Sequence, residues 1–264
     1  MIVRKAEQAI AKRLREVAGE DAQLEATFLL RASGFHSPYQ ELTETDAKAL
    51  EPLIERRLSG EPLPYVLGEW EFYGLPFYVD RNVLIPRPDT ECLVEAALKE
   101  LTPERNTVLD LCCGSGCIGI ALAVYGGAKV TAADISADAL DFTERNARRN
   151  GVSVELIRSD FLDEIEGPFD LIACNPPYLS MEDMENRDAA LRCEPELALY
   201  GGFDGLAFYH RLAKEYRRVL KPGGTLLMEI GMTQREAVES LFPGATCIMD
   251  YGGRPRVIVV KEHD

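Results

Sequence analysis

VLDLCCGSGCIGIALA, residues 108–123, is an apolar run that breaks at Gly114-Ser115-Gly116 and then resumes. That order predicts a buried strand, a tight turn of small residues and the opening of a helix. Small residues at such a turn let a ligand approach the backbone. Taken alone, a Gly-x-Gly is also what an ordinary strand-to-helix turn shows. Gly114, Gly116 and Gly119 together satisfy GxGxxG, so the motif by itself leaves a dinucleotide-binding dehydrogenase open.

Working outward, the next strand-like segment is Lys129–Asp134, and it ends in a carboxylate. At a sheet's carboxyl edge such a group accepts hydrogen bonds from ribose hydroxyls, although Asp134 also stands where a helix cap belongs, just before Ser136. A third strand over Val154–Ser159 runs into Asp160-Phe161, a carboxylate and an aromatic suited to hold an adenine ring, or simply a turn and a core phenylalanine. The stretch FDLIACNPPYLS (169–180) is a buried strand that runs into Asn175-Pro176-Pro177-Tyr178. Two prolines cannot continue a ladder, and they hold the chain in a rigid turn. Asn175 offers a side-chain carbonyl, Pro176 a backbone carbonyl and Tyr178 a flat face. Two acceptors and a flat face suit a planar –NH2 group, whose delocalised lone pair must be aimed at an electrophile.

Further strand-like and helix-like segments follow: helices over Cys117–Val124, Ser136–Asn150, Leu206–Leu220 and Thr233–Phe242, a strand over Thr225–Gly231, and closing strands near 245–250 and 256–261. Alternation of this kind predicts an α/β fold, a mostly parallel sheet with helices on both faces. Ahead of it, Met1 to about Gly60 carries helical spacing, with one helix through Ile2, Ala6, Ile10, Leu14 and Val17, a second from Leu24, and a third from about Asp46, after Thr43 or Thr45 as N-cap, to Gly60 with Pro52 in or near its first turn. Residues 61–91 are dense in Pro, Gly and aromatics and read as a short hairpin followed by a loop. The expected domains are a helical bundle over 1–60, a hairpin linker over 61–90 and a catalytic domain over 91–264.

The 264 residues carry 29 Lys plus Arg against 44 Asp plus Glu, a net charge of −15. Residues 1–40 hold six basic and five acidic side chains, so the acidity belongs to the remainder. A chain of this sign repels a polyanion, and duplex DNA binding is not expected. No run approaches the ~20 apolar residues of a membrane helix, and residues 1–17 lack a signal-peptide core, so a cytoplasmic location without membrane contact is expected. Seven cysteines in unpaired spacing argue against a disulfide framework. Cys112, Cys113 and Cys117 cluster but lack the paired spacing of a structural zinc site, so buried thiols and no metal are expected. His36, His210 and His263 have no motif around them.

DLCCGSG and the NPPY tetrad, together with IPRPDTE (85–91), Glu194-Pro195, GGFDGLAFY (201–209) and KPGGTLLMEIG (221–231), resemble the HemK/PrmC protein-(glutamine-N5) methyltransferases. NPPY alone is shared with adenine-N6 DNA methyltransferases; the other motifs, in this order, are specific. The resemblance runs nearly end to end. It implies a seven-stranded class I, Rossmann-like methyltransferase domain behind a helical substrate-recognition domain. It implies S-adenosyl-L-methionine as cofactor and the glutamine of the GGQ motif of peptide-chain release factors as substrate. The cofactor would lie on Cys112, Cys113, Gly114, Ser115 and Gly116, with its ribose on Asp134 and its adenine beside Asp160 and Phe161. The substrate amide would sit against Asn175, Pro176, Pro177 and Tyr178, with Asn175 also near the cofactor. Cys112 and Cys113 replace the glycine and small hydroxyl residue usual in the family, which puts a backbone contact at Cys112 in doubt. Two other readings stay open: an adenine-N6 nucleic-acid methyltransferase using the same tetrad on a flipped base, and a catalytically silent adapter that only binds nucleotide.

Overall fold

The computed structural model describes residues 1–262, so His263 lies outside the described residues. Its chain divides into two units, Met1–Glu69 with Asp188–Cys193, and Trp70–Arg187 with the residues from Glu194 onward.

The first unit is built from α1 (Val3–Ala18), α2 (Ala22–Ala32), α3 (Glu44–Leu58) and the short α4 (Leu63–Leu67). Ala6, Ile10 and Leu14 of α1, Ala26, Leu29 and Leu30 of α2, and Leu50 and Ile54 of α3 form its buried core. Arg57 reaches from α3 to Glu25 of α2 at 2.7 Å, and both side chains are largely shielded from water. The start of α3 is a capping box: Thr43 Oγ1 accepts from Asp46 N, and Asp46 Oδ2 accepts from Thr43 N. That start corrects the sequence expectation for Pro52, which lies two turns inside the helix and not in its first turn. The helix tolerates it because Pro52 and Lys48 are exposed, so water can serve the Lys48 carbonyl whose bond is lost. The linker reading is also corrected. A helical turn, α4, precedes the hairpin; Pro64 sits in its first turn and Gly68, at φ 75°, ends it.

The hairpin pairs β1 (Glu69–Phe72) with β2 (Leu75–Tyr78). Next comes α5 (Glu91–Glu100), a helix absent from the sequence reading, which buries Cys92, Leu93, Val94, Ala96 and Ala97. The remaining elements are β3 (Thr107–Leu111), α6 (Cys117–Gly126), β4 (Lys129–Asp134), α7 (Ala137–Arg149), β5 (Val154–Arg158), β6 (Phe169–Cys174), α8 (Met181–Glu185), α9 (Ala207–Glu215), β7 (Leu220–Glu229), α10 (Arg235–Leu241), β8 (Thr246–Met249) and β9 (Pro255–Lys261). Two expectations shift here. The helix expected to run to Leu220 stops at Glu215 with a 3-10 turn after it, and β7 starts five residues early because Lys221–Gly224 bulge outward between the pairs Phe169–Leu220 and Leu171–Thr225.

β3 to β9 form one sheet in the order β5-β4-β3-β6-β7-β9-β8. β9 runs antiparallel to β7 and β8, and the other pairs are parallel. Strand residues alternate between two apolar layers: Val108 and Leu171 face α5 and α6, while Leu109 and Ile172 face Tyr209, Leu212 and Val238 of α9 and α10. Both faces are therefore covered, as parallel sheets require. The strand order reverses between β3 and β6, because β4 and β5 lie on one side of β3 and β6 and β7 on the other. Crevices for ligands open at such a point, beyond the strands' carboxyl ends. Leu111 pairs with Cys174, so the turns after β3 and β6 emerge side by side.

Beneath the first of these turns, Asp110 Oδ2 accepts from Gly119 N at 2.8 Å, holding the start of α6 against its strand. A side chain at position 119 would meet Asp110 Oδ2 and Val130 Cγ1, each at 2.8 Å, so only glycine permits this approach. Asp110 Oδ1 is buried with no hydrogen-bond partner among the described residues. Burial, against the Gly119 bond and with help from the Asp134 charge, pushes the Asp110 carboxyl up to about 7. The folded state thus holds this proton more tightly than the unfolded chain, and the group's stabilising contribution is lost as pH rises through about 7. Asp110→Asn should remove that term. Between about pH 4 and pH 7 the stability of the variant relative to wild type should rise by roughly 1 kcal/mol per pH unit. Thermal unfolding across that range checks it, and a difference that does not change with pH would show that Asp110 ionises freely.

Candidate active site

A cavity of about 300 Å³ opens at the switch point. Leu111, Cys112 and Gly114 line it from the turn after β3, Asp134 to Ser136 from the end of β4, Ser159 to Phe161 from the end of β5, and Asn175 and Pro177 from the end of β6. Those four chain segments include most of the residues singled out in the sequence. Cys113, Ser115, Gly116, Pro176 and Tyr178 do not line the cavity.

Their positions have physical reasons. Cys113 is buried with its Sγ 3.4 Å from Thr143 Oγ1, and burial raises the Cys113 and Cys117 thiols, so neither is a thiolate at neutral pH. Gly116 lies against Thr143, whose atoms a Cβ would meet at 2.7 and 2.9 Å. Ser115 presents its carbonyl to Asn146 Nδ2 at 2.9 Å, and Gly114 presents its own to Thr143 Oγ1 at 3.1 Å. The turn is thus bolted to α7 from below and leaves only Cys112 and Gly114 facing the cavity. Gly114 has φ +55° and nothing within 4 Å of where a Cβ would stand. Cys112 also adopts positive φ, 60°, which carries the chain over the end of β3. Among the described residues no group of three or more His, Cys, Asp or Glu is arranged to hold a metal ion.

Asp134 lines the cavity and braces the entry of α7 without being its cap. Its Oδ1 accepts from Ser136 N and its Oδ2 from Gly114 N, each at 2.9 Å, so it ties the glycine turn to the entry of α7. The N-cap itself is Ser136, whose Oγ accepts from Ala139 N. Burial raises the Asp134 carboxyl, while the backbone donors at Ser136, Gly114 and Ile135 oppose the rise. A carboxylate has about four lone-pair sites, so these three donors leave one. Phe161 is buried at φ 60°, its ring 5.7 Å from that of Phe208 and 5.1 Å from the Arg211 guanidinium. Asp160 reaches the cavity with Oδ1 held by Arg211 at 2.7 Å.

The turn after β6 is fastened from three sides, by residues the sequence reading did not assign. Gln234 Nε2 donates to the carbonyls of Tyr178 and Gly205, and Gln234 Oε1 accepts from Gly231 N. A side chain on Gly201 would strike Pro177 O and Tyr178 Cα at 2.7 Å, and one on Gly205 would strike Tyr178 O at 2.4 Å. This explains Gly201 and Gly205 of GGFDG: the loop lies on the backbone of the tetrad. Behind the turn, Asn175 Nδ2 donates to Thr90 Oγ1 at 3.3 Å and Thr90 Oγ1 donates to Glu229 Oε2 at 2.7 Å. Tyr178 turns its hydroxyl to Glu229 Oε1 at 3.4 Å, away from the cavity. Arg256 lies 3.9 Å from Glu229 and 2.9 Å from Asp89.

The motif IPRPDTE gains a role residue by residue. Ile85 N donates to Glu194 Oε2, Arg87 pairs with Glu194 Oε1, Asp89 pairs with Arg256, Thr90 bridges Asn175 and Glu229, and Glu91 accepts from Tyr73 N. One signal for Glu229 was present in the sequence: it is the only charged residue in the apolar run LLMEIG, residues 226–231. A charge there needs partners, and the strand gives no hint of where they lie.

Similar proteins share both units. Residues 5–68 match the PrmC N-terminal domain model and residues 88–191 match the methyltransferase small domain model. The release factor glutamine methyltransferase of Koribacter versatilis is 39% identical, with 99% of each chain aligned. That of Chlamydia trachomatis serovar L2 is 42% identical over 69% of this chain, which spans 64% of the length of that relative. A methyltransferase structure from Pyrococcus furiosus, 16% identical with a TM-score of 0.56, covers 83% of this chain and 99% of its own and shares the fold. With a glycine turn and an NPPY turn side by side on a seven-stranded sheet, and with this likeness over its whole length, the chain belongs to the S-adenosylmethionine-dependent release factor glutamine methyltransferases.

Proposed function

We propose that the Asn175–Tyr178 turn carries the chemistry of the family in this chain: a methyl group passes from S-adenosyl-L-methionine to the side-chain amide nitrogen of the GGQ glutamine of a peptide-chain release factor. The observation that supports this most directly is the state of Asn175. It lines the cavity, its Nδ2 is committed to Thr90, and its carbonyl has no protein partner among the described residues.

The cavity fits the cofactor on three counts. Gly114 leaves open space where a Cβ would stand, Asp134 keeps a lone-pair site for a ribose hydroxyl, and Phe161 with Ala133 and Leu111 offers an apolar bed for adenine. When bound, S-adenosylmethionine supplies a methyl group on a positively charged sulfur, so no residue has to assist the leaving group. The protein's task is to aim the amide. Asn175 Oδ1 accepts one hydrogen of the substrate –NH2 and the Pro176 carbonyl accepts the other, which turns the nitrogen lone pair toward the cavity. Pro176 and Pro177 keep these two acceptors in a fixed frame, so little freedom is lost on binding. Tyr178 contributes by its bond to Glu229 more than by covering the amide. The adenine-N6 alternative uses the same turn but needs a basic channel, which a net charge of −15 does not favour. A cytoplasmic location, where release factors act, agrees with the finding that no helix among the described residues is long and apolar enough to cross a membrane.

Asn175→Ala should lower kcat roughly a hundredfold while leaving cofactor affinity nearly unchanged, by analogy with loss of one aimed contact at a reacting centre. Near-normal turnover on a GGQ-containing substrate would remove Asn175 from this role. Asp134→Ala should weaken cofactor binding by ~1–3 kcal/mol, the cost of leaving a hydroxyl unmatched, and it is checked by calorimetric titration. We assign release-factor recognition to the helical segment 1–60. Its deletion should spare cofactor binding and sharply reduce methylation of a whole release factor, with a smaller loss on a short GGQ peptide. An equal loss on both substrates, in a variant that still binds cofactor, would make the bundle a support for the catalytic unit.

A further inference from the structure

We infer that Glu229 and Thr90 are positioning residues: the buried carboxylate fixes the one hydroxyl proton of Thr90, and Thr90 thereby fixes which way round the Asn175 amide stands. This rests on the reading above, in which Asn175 accepts a hydrogen of the substrate amide.

Thr90 Oγ1 lies 2.7 Å from Glu229 Oε2 and 3.3 Å from Asn175 Nδ2. A hydroxyl has a single proton to donate. An ionised carboxylate offers only lone pairs, so that proton goes to Glu229 and Thr90 meets Asn175 with a lone pair. Only the –NH2 end of the Asn175 amide matches a lone pair. The carbonyl end is therefore turned away from Thr90, free of protein partners among the described residues, on a side chain that lines the cavity. The two ends of an amide are nearly identical in shape, so packing alone does not choose between them. The choice is made by hydrogen-bond polarity, and it begins at Glu229.

Three further groups bear on that carboxylate. Arg256 of β9 stands 3.9 Å from Oε1, the Tyr178 hydroxyl stands 3.4 Å from Oε1, and Asp89 pairs with Arg256 at 2.9 Å. Asp250 also approaches Arg256, at 3.5 Å, and so shares its charge. The Tyr209 hydroxyl donates to the Glu229 backbone carbonyl and leaves the carboxylate to the others. Burial pushes the Glu229 carboxyl up to about 7, with Thr90, Arg256 and Tyr178 holding it down and Asp89 adding to the rise. Protonation reverses the relay. The carboxylic acid donates to Thr90, Thr90 donates onward to Asn175, and the Asn175 carbonyl turns to meet it, leaving –NH2 toward the substrate where an acceptor is required. Glu229→Gln copies that state, because its carbonyl suits Tyr178 and Arg256 and its –NH2 then faces Thr90.

The test measures kcat and KM for a GGQ-containing substrate, from about pH 6 to about pH 9, together with cofactor affinity by calorimetry, on full-length variants. Thr90→Val and Glu229→Gln should each lose roughly tenfold or more in kcat with cofactor affinity retained. Thr90→Ser, which keeps the hydroxyl, should restore most of the rate. In an Asn175→Ala background neither substitution should cost anything further, because both act through Asn175. Wild-type kcat should fall toward the acid end, and Glu229→Gln should lack that fall. Cofactor titration reports folding, and if Thr90→Val fails to bind, Glu229→Gln and Thr90→Ser decide. Normal turnover by Thr90→Val or Glu229→Gln beside a slow Asn175→Ala would overturn the relay and leave the proposed function standing. Losses that multiply with Asn175→Ala would also overturn it, since they would mark a general structural role. Normal turnover by Asn175→Ala itself would sink both.

Discussion

A carboxylate at the end of a central strand, 1% exposed, is the constraint around which this site is arranged. Glu229 cannot sit there ionised without partners, since an unpaired buried charge costs several kcal/mol. The partners come from three places: Thr90 before α5, Tyr178 after β6 and Arg256 on β9. Satisfying one group therefore ties the IPRPDTE segment, the NPPY turn and the closing strand into a single unit. It also makes the Asn175 amide one-handed, which a substrate-aiming acceptor has to be.

The rest of the geometry follows from topology. Because β3 and β6 are neighbours where the strand order reverses, the turns that follow them both border the cavity. Each turn is made rigid in its own way. The glycine turn after β3 is held from below by Asp110, Thr143 and Asn146. The proline turn after β6 is stiff in itself and is clamped by Gln234 and by the close approach of Gly201 and Gly205. Two small-residue motifs thus do different work: Gly114 leaves room for a ligand, whereas Gly201 and Gly205 leave room for the protein's own backbone.

Much of this was readable from residue order. The sheet strands were placed to within a residue at β4, β5 and β6; β6 is a continuous buried apolar run with sharp ends, whereas the edge strand β5, VELIR, mixes apolar and charged residues. Pro52 does not belong to the first turn on either count: it is the seventh residue from Asp46 and the ninth from Glu44, where the helix begins after its Thr43 cap. α5 was missed because ECLVEAALKE follows the Pro-rich stretch read as a loop, and Thr90 in front of it spends its hydroxyl on Glu229 instead of capping the helix. Among the site residues, Asn175, Asp134, Gly114 and Phe161 were found as strand-end residues. Thr90, Glu229, Arg256 and Gln234 were not, because their partners in the site lie on other elements, far along the chain: Thr90 meets Glu229 across 139 positions and Gln234 meets Tyr178 across 56.

The sequence by itself determined which segments become strands and helices, that the sheet is parallel in the main, and which strand-end residues carry acceptors and flat faces. These are local matters: apolar periodicity, the φ freedom of glycine and the fixed φ of proline operate over a few residues. Only the tertiary structure decided which strand ends are neighbours, which of the tetrad's atoms face the cavity, and which way the Asn175 amide stands. Those depend on hydrogen-bond partners that folding brings from distant parts of the chain, and an isolated residue has no means of specifying its partner.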